Sequence, residues 1–310
     1  ESLATCPLQY FFRYVLKVAP PERPELDPDR WLDPLARGAL LHECYRRFWE
    51  ERLQAGRAAD PLGPEDWARM EAIAQEAVAR QREALPPPSE GVFERERQEL
   101  VAEALFFLEL EARRDDGGVP VLLERAFGMQ GEPPVVIELG GEGGAAQRLR
   151  LLGRIDRVER LPDGTYGVWD YKTGSARRYE SERIYLDGGR QLQHVLYSWA
   201  AEALLRREGL DETPRVARSG YWLTTRRGRG HRADRPQDPG KRREAQELLQ
   251  ILLDVAASGC FAPAPDAQDG CDFCDYRRAC GGPAAVRQVR EKIEAGETRL
   301  RFWREVRAHD

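Results

Sequence analysis

Lysine is the scarcest charge in this chain. Of 48 basic residues among 310, four are lysines (Lys17, Lys172, Lys241 and Lys292), and arginine supplies the rest. Arginine is a planar fork that stays charged, whereas lysine is a compact point charge whose pKa can move. A lysine kept inside a structured segment is therefore more informative here than in a lysine-rich chain. Strong net basicity is also missing. The formal charge of −5 excludes a protein that coats nucleic acid by bulk charge and leaves local patches for any such binding. No apolar run reaches the roughly 18 residues of a membrane span. The first residues, Glu1-Ser-Leu-Ala-Thr5, carry no basic leader and no initiator Met, so no secretion signal is seen and the chain reads as a piece of something longer. That absence, with the close spacing of Cys271 and Cys274, speaks against a disulfide framework. What remains, 41% hydrophobic and 33% charged, suits a soluble intracellular globular enzyme.

The most informative segment is a hairpin. Leu151-Leu-Gly-Arg-Ile-Asp-Arg-Val158 and Tyr166-Gly-Val-Trp-Asp-Tyr-Lys172 both read as strands, with Pro162-Asp-Gly164 as the turn between them. Alternation puts Asp170 and Lys172 on one face and Tyr171 on the other. Asp156 and Asp170 could share a magnesium ion, and a lysine beside it could orient water or steady charge on a phosphate. From these residues alone, a cross-strand ion pair is the plain alternative.

Two helices flank the hairpin. Residues 38–54 carry Leu41, Tyr45, Phe48 and Trp49 on one helical face, with His42 beside that face. Its imidazole could complete a carboxylate metal site, or it packs like an ordinary histidine. Gln193 and Tyr197, four apart, share a face of a helix over 190–206. Near the end, Cys271-Asp-Phe-Cys274 and Cys280 form a tight group that needs a fourth ligand, for which Cys6 is the candidate. Four thiolates fit zinc or an iron–sulfur cluster, and spacing does not decide between them. Cys44 is expected to pack as a small hydrophobe. Cys260, eleven residues before Cys271, is a substitute candidate for one of the four ligands.

These motifs resemble the PD-(D/E)XK nuclease superfamily in its RecB-like branch. Asp156 stands at the first Asp of that pattern, and Asp170 and Lys172 at its (D/E)xK; Ile155 replaces the proline, as is common in the branch. Arg37-Gly-Ala-Leu-Leu-His42-Glu43 resembles the upstream histidine motif and Gln193-His-Val-Leu-Tyr197 the downstream Gln-x-x-x-Tyr motif. Cys6-Pro-Leu-Gln-Tyr-Phe-Phe, with three cysteines grouped far downstream, is similar to the iron–sulfur clasp of AddB nuclease domains and of the CRISPR adaptation nucleases.

The resemblance implies an α/β, restriction-endonuclease-like core: a mixed central sheet flanked by helices, with the terminal segments joined by a four-Cys cluster. It implies a 4Fe-4S cluster on Cys6, Cys271, Cys274 and Cys280, with Zn²⁺ as the alternative. It implies Mg²⁺ or Mn²⁺ held by His42, Asp156, Asp170 and the Tyr171 carbonyl, and a catalytic set of Asp156, Asp170, Lys172, Gln193 and Tyr197. The implied activity is metal-dependent hydrolysis of DNA phosphodiesters, as an exonuclease acting on single strands or ends in repair or recombination. A helicase domain or subunit is the implied partner. A non-catalytic DNA- or partner-binding module is the alternative; the joint presence of His42, Asp156, Asp170 and Lys172 speaks against it. The cluster is expected to be structural, so that its loss weakens DNA binding before it alters the chemistry.

The chain is expected to form a single nuclease domain over 1–310. Residues 1–30 and 260–285 form the clasp, 31–118 a helical region and 119–258 the catalytic core. Helices are expected over 4–18, 38–54, 65–85, 94–114, 190–206 and 244–258, and strands over 119–127, 134–139, 151–158, 166–172 and, last, 216–224. The glycines of 140–144 are expected to make a turn. Glu124 lies on the strand before the hairpin and is a further candidate metal ligand. For DNA contact the candidates are Arg177 and Arg178, and Arg226, Arg227 and Arg229 in the stretch from Thr224 to Arg232; the plain alternative is a solvated loop.

Overall fold

The computed structural model describes residues 1–20, 27–140, 147–179, 184–266 and 271–309. Two short helices, α1 (Ser2–Thr5) and α2 (Pro7–Tyr10), lead into a wide turn at Phe11–Val15, in place of the single helix expected over 4–18. Cys6, extended at φ −158°, separates them. Pro7 lacks the N–H that a continuous helix would use and disfavours a helical residue before it.

Three long helices follow: α3 (Pro34–Gln54), α4 (Pro64–Ala84) and α5 (Glu90–Ala112). The first starts earlier than its periodicity suggests, because Asp33 accepts the Ala36 N–H at 2.8 Å and Pro34 takes the first helical position. Ser89 caps α5 in the same way. Their apolar stripes close on one another through Leu41, Tyr45, Phe48, Met70, Ile73, Leu100 and Phe107.

The strands are β1 (Val119–Phe127), β2 (Val135–Leu139), β3 (Gln147–Leu151), β4 (Gly153–Arg160), β5 (Tyr166–Lys172), β6 (Val216–Leu223) and β7 (Arg232–Pro236). Five of them make one mixed sheet in the order β1-β4-β5-β6-β7, and β2 pairs with β3 separately. The pair β5–β6 is parallel and the others are antiparallel. The crossover between β5 and β6 contains α6 (Gln193–Arg207), as a parallel connection requires. One face of the sheet packs Tyr171, Trp222 and Leu123 against α3 and α5. The opposite face packs Leu122, Ile155, Val158, Tyr166 and Val168 against Ala200, Ala201, Leu204 and Leu205 of α6. This is the mixed sheet between helical layers that the resemblance implies.

Two strands differ from expectation. β3 is a separate strand ending at Leu151, so β4, the first strand of the hairpin, begins at Gly153. β7 extends the sheet beyond the strand expected to be last. It comes so close that a Cβ on Gly220 would overlap the Ala233 carbonyl, which explains the glycine there. The remaining helices are α7 (Pro239–Ser258), α8 (Arg277–Cys280), α9 (Pro283–Glu294) and α10 (Phe302–Ala308). Asp238 accepts the N–H groups of Gly240 and Lys241, so α7 also starts earlier than expected. Ala4 of α1 and Val306 of α10 share an apolar cluster with Leu248 and Leu252 of α7. Apart from Gly140, the expected glycine turn lies outside the described residues.

Candidate active site

At one end of the sheet, strands β4 and β5 part company. Their ladder ends at Arg157 opposite Trp169. Beyond that point the Tyr171 N–H donates to the Asp156 carboxylate, at 2.7 Å from Oδ2. The gap gives Asp156 room to reach toward α3, on the face opposite its neighbour Ile155, which packs against α6. Across from it on β1 stands Glu124, between the register pairs Leu123–Arg157 and Arg125–Ile155. Glu124 has φ +44°, a left-handed conformation that a side-chain-bearing residue holds only under constraint. Strict alternation would send Glu124 to the α6 side with Leu122. It meets His42 of α3 instead.

His42 Nδ1 lies 3.1 Å from Glu124 Oε1 and 3.6 Å from Asp156 Oδ1. These three side chains offer ligand atoms within 4.8 Å of one another. Burial by itself would lower the His42 pKa, but hydrogen bonds to Asp156 and then Glu124 prevail and push it up to about 10. Two facing carboxylates thus demand a positive charge between them. A divalent cation fits that demand, and two carboxylates with one imidazole form a donor set compatible with Mg²⁺ or Mn²⁺.

Asp170 belongs to a second group on the other face of β5. Its carboxylate is ion-paired with Lys172 and accepts from Gln193 Nε2 at 2.7 Å. Lys172 Nζ in turn donates to Gln193 Oε1 at 3.2 Å. Gln193 therefore bridges the two charged groups from the first turn of α6. Burial and then the Asp156 charge push Asp170 up to about 7, with Lys172 working against them. Asp170 is absent from the three-residue group, and Glu124, a further candidate in the sequence, belongs to it. The signal that marks Glu124, a positive φ in a strand, is not visible in the sequence.

Tyr171 turns its ring into the helical layer, edge-on to His42 with centroids 5.6 Å apart, as alternation requires. Tyr197 lies one turn after Gln193 and packs edge-on against Phe127. Burial raises its hydroxyl, opposed by a hydrogen bond with Gln193. His42, Glu124, Asp156, Lys172 and Arg154 line one open cleft of about 1110 Å³. Arg154, which no sequence motif singles out, lies 3.6 Å from Glu124 Oε2 at the rim.

The arginine candidates divide. Arg177 is exposed, and the Arg178 side chain lies outside the described residues. Arg226, Arg227 and Arg229 are exposed in the turn between β6 and β7. Arg227 lines a second groove that shares Pro34, Thr173 and Gly174 with the cleft. Arg232 closes the same sequence stretch but is not a surface contact. Its guanidinium stacks 3.6 Å from the Trp169 ring centroid and pairs with Glu159 and Asp116.

Cys6, Cys271, Cys274 and Cys280 all line one small cavity beneath Phe12 and Tyr276. Burial, and then Cys280, Cys6 and Cys274, push the Cys271 thiol up. Cys44 is buried in α3, as expected. Cys260 sits apart, its thiol directed at the Arg299 carbonyl.

A mixed sheet with an acidic group at the point where its strands diverge is the architecture of a restriction-endonuclease-like fold. The family model of the PD-(D/E)XK nuclease superfamily matches residues 1–281, and the chain belongs to that superfamily. It is 27% identical over 264 residues to an ATP-dependent helicase/deoxyribonuclease subunit of Clostridium novyi (strain NT), covering 81% of this chain and 20% of that protein. The protein of the same description from Alkaliphilus metalliredigens (strain QYMF) is 28% identical over 214 residues, covering 64% of this chain and 17% of its own length. That from Clostridium tetani (strain Massachusetts / E88) is 39% identical over 82 residues, or 25% of this chain and 6% of its own length. The chain thus spans about a fifth or less of the length of these relatives. Among the described residues no helix is long and apolar enough to cross a membrane.

Proposed function

We propose that this chain is a divalent-metal-dependent deoxyribonuclease that hydrolyses phosphodiester bonds in single strands or at DNA ends. The observation that carries the reading is the convergence of His42, Glu124 and Asp156 beside Lys172 in one open cleft. Mg²⁺ or Mn²⁺ would be held by these residues, with Asp170 and the Tyr171 carbonyl as further ligands in this reading, and would supply Lewis-acid chemistry toward phosphate and water. The chain's own groups do the rest. Asp156 is oriented by the Tyr171 N–H. Lys172, held by Asp170 and Gln193, offers a fixed ammonium to an attacking water or a phosphate oxygen. Gln193 keeps that ammonium at the cleft, and Tyr197 supports Gln193 from the next turn. Arg177, Arg226, Arg227 and Arg229 grip phosphates without reading bases.

The reading treats 1–310 as one nuclease domain whose ends form a clasp. It assigns a 4Fe-4S cluster to Cys6, Cys271, Cys274 and Cys280. Zn²⁺ on the same four cysteines is the alternative. The relatives' description, an ATP-dependent helicase/deoxyribonuclease subunit, supports attachment to a helicase, and the reading places the activity in DNA repair or recombination.

The test is digestion of end-labelled single- and double-stranded DNA with and without Mn²⁺. Lys172→Ala and Asp156→Asn should each slow cleavage by about 10²–10⁴-fold while leaving the circular dichroism unchanged. Cleavage at the parent rate by either variant would overturn the assignment.

A further inference from the structure

Gln193 bridges Asp170 and Lys172, so its place depends on how the first turn of α6 is held. That turn has no local side-chain cap, and Leu192 before it already has helical torsions. Its cap comes from the far end of the chain. Glu1 Oε1 accepts the N–H groups of Leu192 at 3.0 Å and of Gln193 at 3.1 Å.

The turn leading into α6, Asp187–Gly189, is fastened by both terminal segments. Gly189, at φ +86°, lies against α1, where a Cβ would come 2.7 Å from the Ala4 Cβ. The Gly188 N–H donates to the His309 carbonyl at 2.9 Å. Arg307 of α10 ties these pieces together. Its Nη1 donates to the Gly188 carbonyl at 2.8 Å and its Nη2 to the Ala4 carbonyl at 3.0 Å. Its Nε donates to Asp266 at 2.7 Å, and the guanidinium stacks over Trp303. One guanidinium thus joins the first helix, the last helix and the entry to α6.

We propose that Glu1 and Arg307 are positioning residues for the cleft. They fix the first turn of α6, hence Gln193, hence the Asp170–Lys172 pair. The terminal segments therefore act on the bond-breaking step as well as on the clasp. The part of this proposal that concerns rate rests on the nuclease reading above; the part that concerns position does not.

Two measurements on the full chain test it. The first is hydrogen exchange at the Leu192 and Gln193 amides. Glu1→Ala should speed it on the order of tenfold, in line with a lost cap, and Glu1→Gln, which keeps an acceptor, should leave it near the parent rate. Unchanged exchange in Glu1→Ala overturns the proposal. The second is cleavage of end-labelled single-stranded DNA with Mn²⁺. Arg307→Ala should lower kcat on the order of tenfold, with KM and Mn²⁺ affinity unchanged and partial rescue by Arg307→Lys. In a Gln193→Ala background the same change should cost little more, because both act through one side chain. Multiplying effects, or a loss of melting temperature with kcat intact, would show Arg307 to be merely structural and overturn the proposal. If the parent protein does not cut DNA, the nuclease reading falls, and the exchange measurement still decides the positioning claim.

Discussion

Replacing Arg157 by Met probes the charge network that supports β4, the strand that carries Asp156. Arg157 is fully buried directly after Asp156 and pairs with Glu111. Its Nε also donates to Glu159 at 3.0 Å, and its guanidinium stacks near Trp49 and Trp222. Glu159 is buried as well and accepts from Trp169 Nε1, Arg114 and Arg232, while Asp116 also pairs with Arg114 and Arg232, and Glu111 with Arg114. Three carboxylates thus balance three guanidiniums. The methionine side chain would fill much of the arginine stem's volume but leave one buried negative charge uncompensated, at a cost of about 3–5 kcal/mol. The melting temperature should fall on the order of 10 °C. Adding Glu111→Gln should recover part of the loss, because it removes the surplus charge.

The pH dependence has a definite sign. In the parent, burial would raise Glu159, but Arg157, Arg114 and Arg232 hold it below the ordinary carboxylate range. Its stabilisation is present above that ordinary range and is lost as pH falls through the lower folded value. In Arg157→Met one of those guanidiniums is gone, so the deficit should be largest near neutrality and shrink on acidification. Urea unfolding followed by circular dichroism between pH 4 and pH 8 measures both effects. A cost below about 1 kcal/mol at neutral pH would refute the idea of an ionised buried network.

Mn²⁺ binding should release a proton, because His42, held near pKa 10 by Asp156 and Glu124 without a cation, must give it up to act as a ligand. Calorimetry in buffers of different ionisation enthalpy should find close to one proton released at pH 8, with affinity rising as pH rises; no release would contradict this geometry. Glu124→Gly should relieve the φ +44° strain, leaving stability unchanged or higher by up to about 1 kcal/mol, while weakening Mn²⁺ binding at least tenfold on titration. Cys274→Ser should lose most of the bound iron and acid-labile sulfide on chemical analysis; if zinc replaces iron in the parent protein, the cluster assignment fails.

The hairpin is legible in the sequence because its turn residues, strand alternation and motif all agree. Asp170 and Lys172 do share a face, and Tyr171 does take the other. The starts of α3 and α7 lie earlier than apolar periodicity places them, although Asp33-Pro34 and Asp238-Pro239 are sequence signals for a cap followed by a first helical proline. β7 is hidden for a different reason. Arg-Ala-Asp-Arg-Pro looks like a loop until partners elsewhere neutralise it: Glu159 and Asp116 for Arg232, and Arg218 for Asp234. Such pairing is tertiary and leaves no periodic trace. The grouping of Glu124 with His42 and Asp156 rests on a single torsion that breaks strand alternation. A two-residue period cannot report it.

The rarity of lysine makes the cleft easy to observe spectroscopically. Reductive methylation with ¹³C-formaldehyde would yield four side-chain signals, for Lys17, Lys172, Lys241 and Lys292. Lys17 and Lys292 are solvent-exposed and Lys241 pairs with Glu244, whereas Lys172 is wedged between Asp170 and Gln193. Its dimethylammonium resonance should stand apart from the other three, giving a label-sparse NMR reporter that follows occupancy of the cleft without mutation.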